Sequence, residues 1–146
     1  MRIDIISAVP QLLESPLNHS IVGNAQDEGL VEIYTHDLRD YTEDKHNKVD
    51  DYPYGGGAGM VLTPQPIFSC IEHLQSQRDY DEIIFTAPNG TPFEQEDANR
   101  LSTDKNLIFL CFHYSNHFIF HFHLIAPKAS SHWLFFHFYH LKSNLC

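Results

Sequence analysis

The chain has 146 residues, which is the usual length of one domain and is long enough to bury a hydrophobic core. Nineteen acidic residues against nine basic ones give a formal charge of −10, which excludes nucleic-acid binding by bulk positive charge but not a local basic site. Hydrophobic residues make up 42%, which excludes a wholly disordered chain. Three widely separated cysteines exclude a disulfide scaffold and favour a reducing, cytoplasmic compartment.

The composition changes near Cys111. All 19 acidic residues lie between Asp4 and Asp104, whereas seven of the 11 Phe and seven of the 11 His follow Cys111. We therefore expect two parts, residues 1–111 and a His- and Phe-rich tail over residues 112–146. No signal peptide is expected, because Asp4 interrupts the N-terminal apolar residues, and no window is long and apolar enough to span a membrane.

The first 111 residues alternate between strand and helix patterns. Short β-branched and aromatic runs predict strands over residues 3–9, 30–35, 83–85 and 107–111. Helices are predicted over residues 20–28, from residue 64, and over residues 91–101, with a polar loop over residues 37–51. This order predicts an α/β domain with a mostly parallel sheet.

Local signals mark the ends of these helices. Gly29 stands where a helix C′ residue belongs, and Thr63 and Pro64 suit the N-cap and first position of the second helix. The spacing of Ile67, Cys70, Ile71 and Leu74 predicts the apolar face of that helix. Thr91 and Glu94 have the spacing of a capping box, which predicts that the third helix begins there.

A glycine-rich segment lies between Tyr52 and Met60. Its four glycines (Gly55, Gly56, Gly57 and Gly59) permit close approach of a ligand to main-chain N–H groups. The segment is neither a Walker A loop nor a GxGxxG fingerprint. Two interpretations remain: a flexible hinge, or a nucleoside pocket in which Asp50, Asp51, Tyr52 and Tyr54 supply carboxylates and rings.

Two further segments are candidates for ligand contact. Residues 85–90 follow the carboxyl end of a predicted strand, where open α/β sheets bind ligands, although they also suit an ordinary strand-to-helix turn. Arg39, Lys45, His46 and Lys48 form the basic cluster of the first part. This cluster is either a solvated loop or a set of phosphate contacts for RNA.

Several of these motifs together resemble one family. They are Asp37–Thr42, Asp44–His46 and Val49–Val61, with Met1–Ile6 and Asp81–Gly90 in support. In this combination the chain resembles the bacterial tRNA (guanine-N1)-methyltransferases, the TrmD family, without a gap from Met1 to Cys111. The resemblance implies a SPOUT-class α/β methyltransferase with a trefoil knot. It also implies a homodimer that transfers a methyl group from S-adenosylmethionine to N1 of the tRNA guanine 3′ of the anticodon.

The resemblance also implies site residues. The methyl-donor pocket would be lined by Phe85, Thr86, Ala87, Pro88, Asn89 and Gly90, and Tyr114 falls on a tyrosine of the family's pocket. The target guanine would be bordered by Tyr54, Gly55, Gly56, Gly57 and Gly59, and RNA would be contacted by Arg39, Lys45 and His46.

The resemblance ends at Cys111. Phe112, Ser115 and Asn116 stand where the family has a glycine, an acid and a second glycine. In the family, further parts follow this point: the catalytic acid and arginine, the knot strand and the C-terminal domain. We therefore assign no catalytic residue in this chain. We expect a sheet truncated before the knot is completed, and little activity. The tail resembles a frameshifted or truncated gene product. The alternatives are a makeshift edge strand, a His-rich metal-binding site or a non-enzymatic nucleotide- or RNA-binding fragment.

Overall fold

The computed structural model describes residues 1–52, 60–87, 91–111 and 121–125. The strands are β1 (Arg2–Ser7), β2 (Glu32–Asp37), β3 (Asp50–Asp51), β4 (Val61–Leu62), β5 (Glu82–Ala87), β6 (Thr91–Pro92), β7 (Asn106–Cys111) and β8 (His121–Ile125). The helices are α1 (Gln11–Leu17), α2 (Ser20–Asp27), α3 (Pro64–Gln77) and α4 (Gln95–Leu101), and a 3₁₀ turn covers Leu38–Tyr41.

Six strands form the main sheet in the order β2-β1-β7-β5-β8-β6. The pairs β1–β2, β1–β7 and β5–β7 are parallel, whereas β8 pairs antiparallel with both β5 and β6. The prediction of an α/β domain with a mostly parallel sheet is therefore confirmed. The tail contributes β8, which lies between two strands rather than at the edge.

Hydrophobic cores cover both faces of the sheet. On one face, α3 buries the four residues that its spacing predicted, against Ile83 and Ile108 of the sheet. On the other face, Leu101 of α4 packs with Ile84 and Leu107. Neighbouring residues of one strand, such as Ile83 and Ile84, thus lie in different cores, which explains why these strands are continuous apolar runs.

The predicted end of α2 is confirmed in detail. Gly29 has φ +70°, the left-handed conformation that a helix C′ residue adopts. Its N–H donates to the Gln26 carbonyl, and the Leu30 N–H donates to the Ala25 carbonyl, each at 2.9 Å. These two bonds form a Schellman motif, which turns the chain from α2 into β2.

One local prediction was wrong, and two local features were not predicted. The third helix begins at Gln95, not beside Thr91, because Thr91 and Pro92 form β6 against β8, and the capping box joins Glu94 and Asp97 instead. Helix α1 was not predicted, because it contains Pro16 and buries no residue. The predicted polar loop over residues 37–51 begins with the 3₁₀ turn at Leu38–Tyr41 and ends in β3, neither of which was predicted.

Within the parts of the chain that the structure describes, no helix is both long and apolar enough to cross a membrane.

Candidate functional site

The parallel strands end at one edge of the sheet, which we call the carboxyl edge. Asp37 of β2 pairs with Ser7 of β1, and Ser7 pairs with Cys111 of β7. Phe85 of β5 pairs with Leu110, one residue before Cys111. Since neighbouring strands lie about 4.8 Å apart, the ends of β2 and β5 are about 14 Å apart along this edge. Open α/β sheets bind their ligands at such edges.

The predicted donor segment begins at the carboxyl edge. The Thr86 hydroxyl donates to the Leu110 carbonyl at 3.0 Å, which joins the ends of β5 and β7. Phe85 is half-buried and packs against the larger core. Burial raises the pKa of the Cys111 thiol, and its hydrogen bond with Thr86 opposes that rise. The Ala87 backbone pairs with His121 of β8, so the described part of the segment, residues 85–87, lies at the end of β5 between β7 and β8.

Several predicted site residues lie outside the described residues: Pro88, Asn89, Gly90, Tyr114, Tyr54, Gly55, Gly56, Gly57 and Gly59. The flanks of the glycine segment are described. Asp50 and Asp51 of β3 pair antiparallel with Leu62 and Val61 of β4, so the segment connects the two strands of a hairpin. Leu62 is buried in the larger core and fixes the base of this hairpin.

The basic segment, residues 37–51, is folded by its own hydrogen bonds. The Arg39 N–H donates to Asp37 Oδ1 at 2.9 Å, and Arg39 Nη1 donates to the Asn47 carbonyl at 3.2 Å. Lys45 and His46 are exposed. The structure thus joins Arg39 to the turn that carries Lys45 and His46, as a common RNA-contact surface would require.

Both ends of the basic segment are attached to the body of the protein. Leu38 and Val49 are fully buried in the larger core. Gln65 of α3 donates to the Tyr41 carbonyl at 3.0 Å and accepts from the Glu43 N–H at 3.3 Å. The N–H and hydroxyl of Thr63 both donate to the Val49 carbonyl, which is why the predicted N-cap side chain makes no cap bond.

A buried network around Asp4 was not predicted from the sequence. This carboxylate accepts two bonds from the Arg2 guanidinium (2.7 and 2.9 Å), lies 2.8 Å from His36 Nε2 and accepts from the Tyr80 hydroxyl at 2.8 Å. Burial raises the pKa of Asp4, but these bonds outweigh burial and hold the pKa well below its usual range. One signal was available, since a single acid among the isoleucines of a buried strand needs partners.

The Asp4 network connects the middle of β1 with the end of β2. His36 immediately precedes Asp37, so its contact with Asp4 fixes the position at which the basic segment begins. Burial raises the pKa of the Tyr80 hydroxyl, and its bond to Asp4 raises it further. Tyr80 therefore stays protonated and keeps donating to the carboxylate at neutral pH. Among the described residues, no group of three His, Cys, Asp or Glu side chains is placed to hold a metal ion.

A sequence model of the family described as tRNA (Guanine-1)-methyltransferase TrmD matches residues 1–117. The chain belongs to this family. It is 60% identical over 114 residues to the tRNA (guanine-N(1)-)-methyltransferase of Azobacteroides pseudotrichonymphae, covering 78% of this chain and 51% of that protein. The Bacteroides fragilis enzyme of the same name is 53% identical over 131 residues, covering 89% of this chain and 58% of that protein.

A solved methyltransferase structure has a similar fold. The crystal structure of tRNA (m1G37) methyltransferase from Aquifex aeolicus superposes with a TM-score of 0.71 at 30% identity, covering 79% of this chain and 52% of that one. The expected SPOUT-type α/β fold class is therefore confirmed. The chain spans between half and three fifths of the length of the relatives described above.

Proposed function

We propose that this chain forms the N-terminal part of a tRNA (guanine-N1)-methyltransferase and binds S-adenosylmethionine at the carboxyl edge of its sheet. The observation that carries the proposal is the position of Phe85 and Thr86 at that edge, within a chain of this family. Residues 87–90 continue from the end of β5, where main-chain groups can read an adenine edge without charged side chains. The methyl acceptor is N1 of the tRNA guanine 3′ of the anticodon.

The chemistry agrees with this assignment of roles. S-adenosylmethionine supplies an electrophilic methyl group, so the protein must mainly align the sulfur, the methyl carbon and guanine N1. Guanine N1 carries a proton, which a base must remove before N1 becomes a good nucleophile. Thr86 joins the ends of β5 and β7 and therefore holds the donor segment in place. The glycine-rich hairpin would border a guanine that is turned out of its stack.

The 146-residue chain by itself is proposed to have little turnover. Phe112, Ser115 and Asn116 replace a glycine, an acid and a glycine of the family's motif, and no residue of this chain is assigned as the base. A phenyl ring at position 112 would fill space that a glycine leaves open for the donor. Homodimerisation and a cytoplasmic location are part of the same proposal.

Donor binding is tested by calorimetry with S-adenosylmethionine. We expect binding by the intact chain and weaker binding by Thr86→Val, because the variant loses the hydroxyl bond from Thr86 to the Leu110 carbonyl. Thr103→Val is the matched control. It removes a similar bond, from the Thr103 hydroxyl to the Arg100 carbonyl, but Thr103 lies on the turn after α4. Equal weakening by both variants would refute the role of Thr86, and no heat with the intact chain would refute the donor site.

Turnover is tested by transfer of a labelled methyl group to unmodified tRNA. We expect little incorporation by this chain, and incorporation close to that of a full-length relative would refute the proposed inactivity. A tRNA transcript with adenine in place of the target guanine is the control for position. Zinc titration separates the alternative, because zinc binding without donor binding would favour a metal-binding tail over a methyltransferase fold.

A further inference from the structure

The basic segment has an electrostatic difficulty as an RNA-contact surface. Residues 37–51 contain six acidic residues against Arg39, Lys45 and Lys48, with His46 in addition. A phosphate that approached an unfolded segment of this composition would be repelled on balance. Contact with RNA therefore requires a conformation that presents the basic side chains and turns the nearest carboxylate away.

The structure contains such a conformation at residues 44–47. The Asn47 N–H donates to the Asp44 carbonyl at 3.1 Å, which closes a turn with Lys45 and His46 at its two central positions. Asn47 has φ +53°, the left-handed conformation that asparagine tolerates at the end of such a turn. Both central side chains are exposed, as phosphate contacts must be.

The Asp44 carboxylate faces the backbone of this turn. Its Oδ1 accepts from the His46 N–H at 2.8 Å and from the Lys48 N–H at 3.2 Å, and these bonds lower the pKa of Asp44. The Thr42 hydroxyl accepts from the Asp44 N–H at 3.2 Å and donates to the Lys48 carbonyl at 2.9 Å. The one acid next to Lys45 is thus occupied by main-chain donors.

We propose that Asp44 is a positioning residue for RNA binding: its carboxylate holds the 44–47 turn that presents Lys45 and His46 to an RNA phosphate. The proposal rests on the proposed function, which supplies the RNA. Asp44 does not contact the RNA in this scheme. It acts through the two basic residues, although its own negative charge repels the RNA phosphates.

The positioning role and a purely electrostatic role of Asp44 predict opposite changes in tRNA affinity when Asp44 is replaced by alanine. If Asp44 only adds negative charge near the RNA, then Asp44→Ala strengthens tRNA binding. If Asp44 positions the turn, Asp44→Ala weakens binding although the charge has gone. Asp44→Asn separates the two contributions, because an amide oxygen can still accept both N–H bonds while the charge is removed. Glu43→Ala is the control for charge, since Glu43 is an exposed neighbouring acid whose N–H contact with Gln65 comes from the backbone.

The experiment measures the affinity of the full chain for unmodified tRNA by fluorescence anisotropy over a series of salt concentrations. We expect Asp44→Ala to weaken binding about fivefold, which corresponds to one hydrogen-bonded contact. The slope of log affinity against log salt should also fall by about one, as for the loss of one phosphate contact. Asp44→Asn and Glu43→Ala should bind as tightly as the natural chain or more tightly, with unchanged slopes.

Amide hydrogen exchange of the same variants checks the cause. Asp44→Ala should speed exchange at the His46 and Lys48 amides, and the two control variants should not. Stronger or unchanged binding by Asp44→Ala, or weaker binding without faster exchange at these amides, would overturn the proposal and leave the proposed function intact. Absence of tRNA binding by the natural chain would instead refute RNA binding by this chain, and the positioning role with it.

Discussion

Replacement of Asp4 is the sharpest test of the packing around the first two strands. Asp4→Asn keeps the size of the side chain but exchanges one carboxylate oxygen for an amide NH₂ group. Oδ2 accepts from Arg2 Nε and from the Tyr80 hydroxyl, whereas Oδ1 accepts from Arg2 Nη2 and lies beside His36. Whichever way the amide is oriented, its NH₂ group faces at least one donor that it cannot satisfy.

The magnitude follows from the number of bonds lost. Each carboxylate oxygen makes two contacts, so either orientation of the amide disrupts two of them, and a hydrogen bond to a charged group contributes about 1.5–3 kcal/mol to stability. Asp4 is 0% exposed, but Arg2 reaches solvent and can be hydrated after the substitution, which favours the lower end of the range. We therefore expect the free energy of unfolding to fall by about 3 kcal/mol, a large share of the about 5–15 kcal/mol of a typical domain.

The loss of stability caused by Asp4→Asn should depend on pH. The pKa of Asp4 is lower in the folded chain than the value of about 3.9 expected after unfolding, so the stabilisation is complete above about pH 5 and is lost as pH falls towards the lowered pKa. Asp4→Asn lacks this titration. Its deficit should therefore shrink by about 1 kcal/mol between pH 5 and pH 3.

Urea unfolding at pH 7, 5 and 3 measures both effects. Asp27→Asn, on the exposed last residue of α2, is the control and should change stability by no more than about 0.5 kcal/mol. A loss below about 1 kcal/mol for Asp4→Asn, or a deficit that stays constant down to pH 3, would refute the reasoning.

Three further predictions concern α3 and its contacts. Ile71→Ala should cost about 2–5 kcal/mol in urea unfolding, because this buried side chain would leave a cavity in the larger core, and a cost near zero would contradict that burial. Gln65→Ala should cost about 1–2 kcal/mol and speed amide exchange at Glu43, because two bonds to the basic segment are lost; unchanged exchange would contradict the contact. Burial raises the pKa of Cys70 to about 12, so iodoacetamide at pH 8 should label it far more slowly in the folded chain than in urea, and equal rates would show that the thiol is accessible.

Side-chain periodicity was sufficient to predict most of the architecture. The runs around Ile83 and Ile108 are buried on both faces, as a parallel sheet between two helices requires. The α3 spacing and the glycine after α2 are local signals, and the structure confirms both. Helix α1 escaped prediction because it buries nothing, so it has no apolar period to detect.

The candidate site was predictable only in part, since its ordering contacts join distant residues. The contact between Asp4 and Tyr80 spans 76 positions, and that between Asp4 and His36 spans 32. Neither spacing leaves a local pattern in the sequence. The Asp44 turn is local, but the segment around it has no hydrophobic period, so its bonds to Gln65 and its buried ends became apparent only in three dimensions.

The tail illustrates a general difference between composition and strand pairing. Composition reports on side chains, and residues 112–146 differ sharply from the rest in that respect. A β-ladder is formed by backbone N–H and C=O groups, which every residue except proline provides in full. Residues 121–125 can therefore pair with Ile83–Ala87 along the whole length of β8, whatever the origin of their side chains. The pairing of β8 beside the donor segment is thus compatible with a tail whose backbone completes the sheet but whose side chains provide no catalytic group.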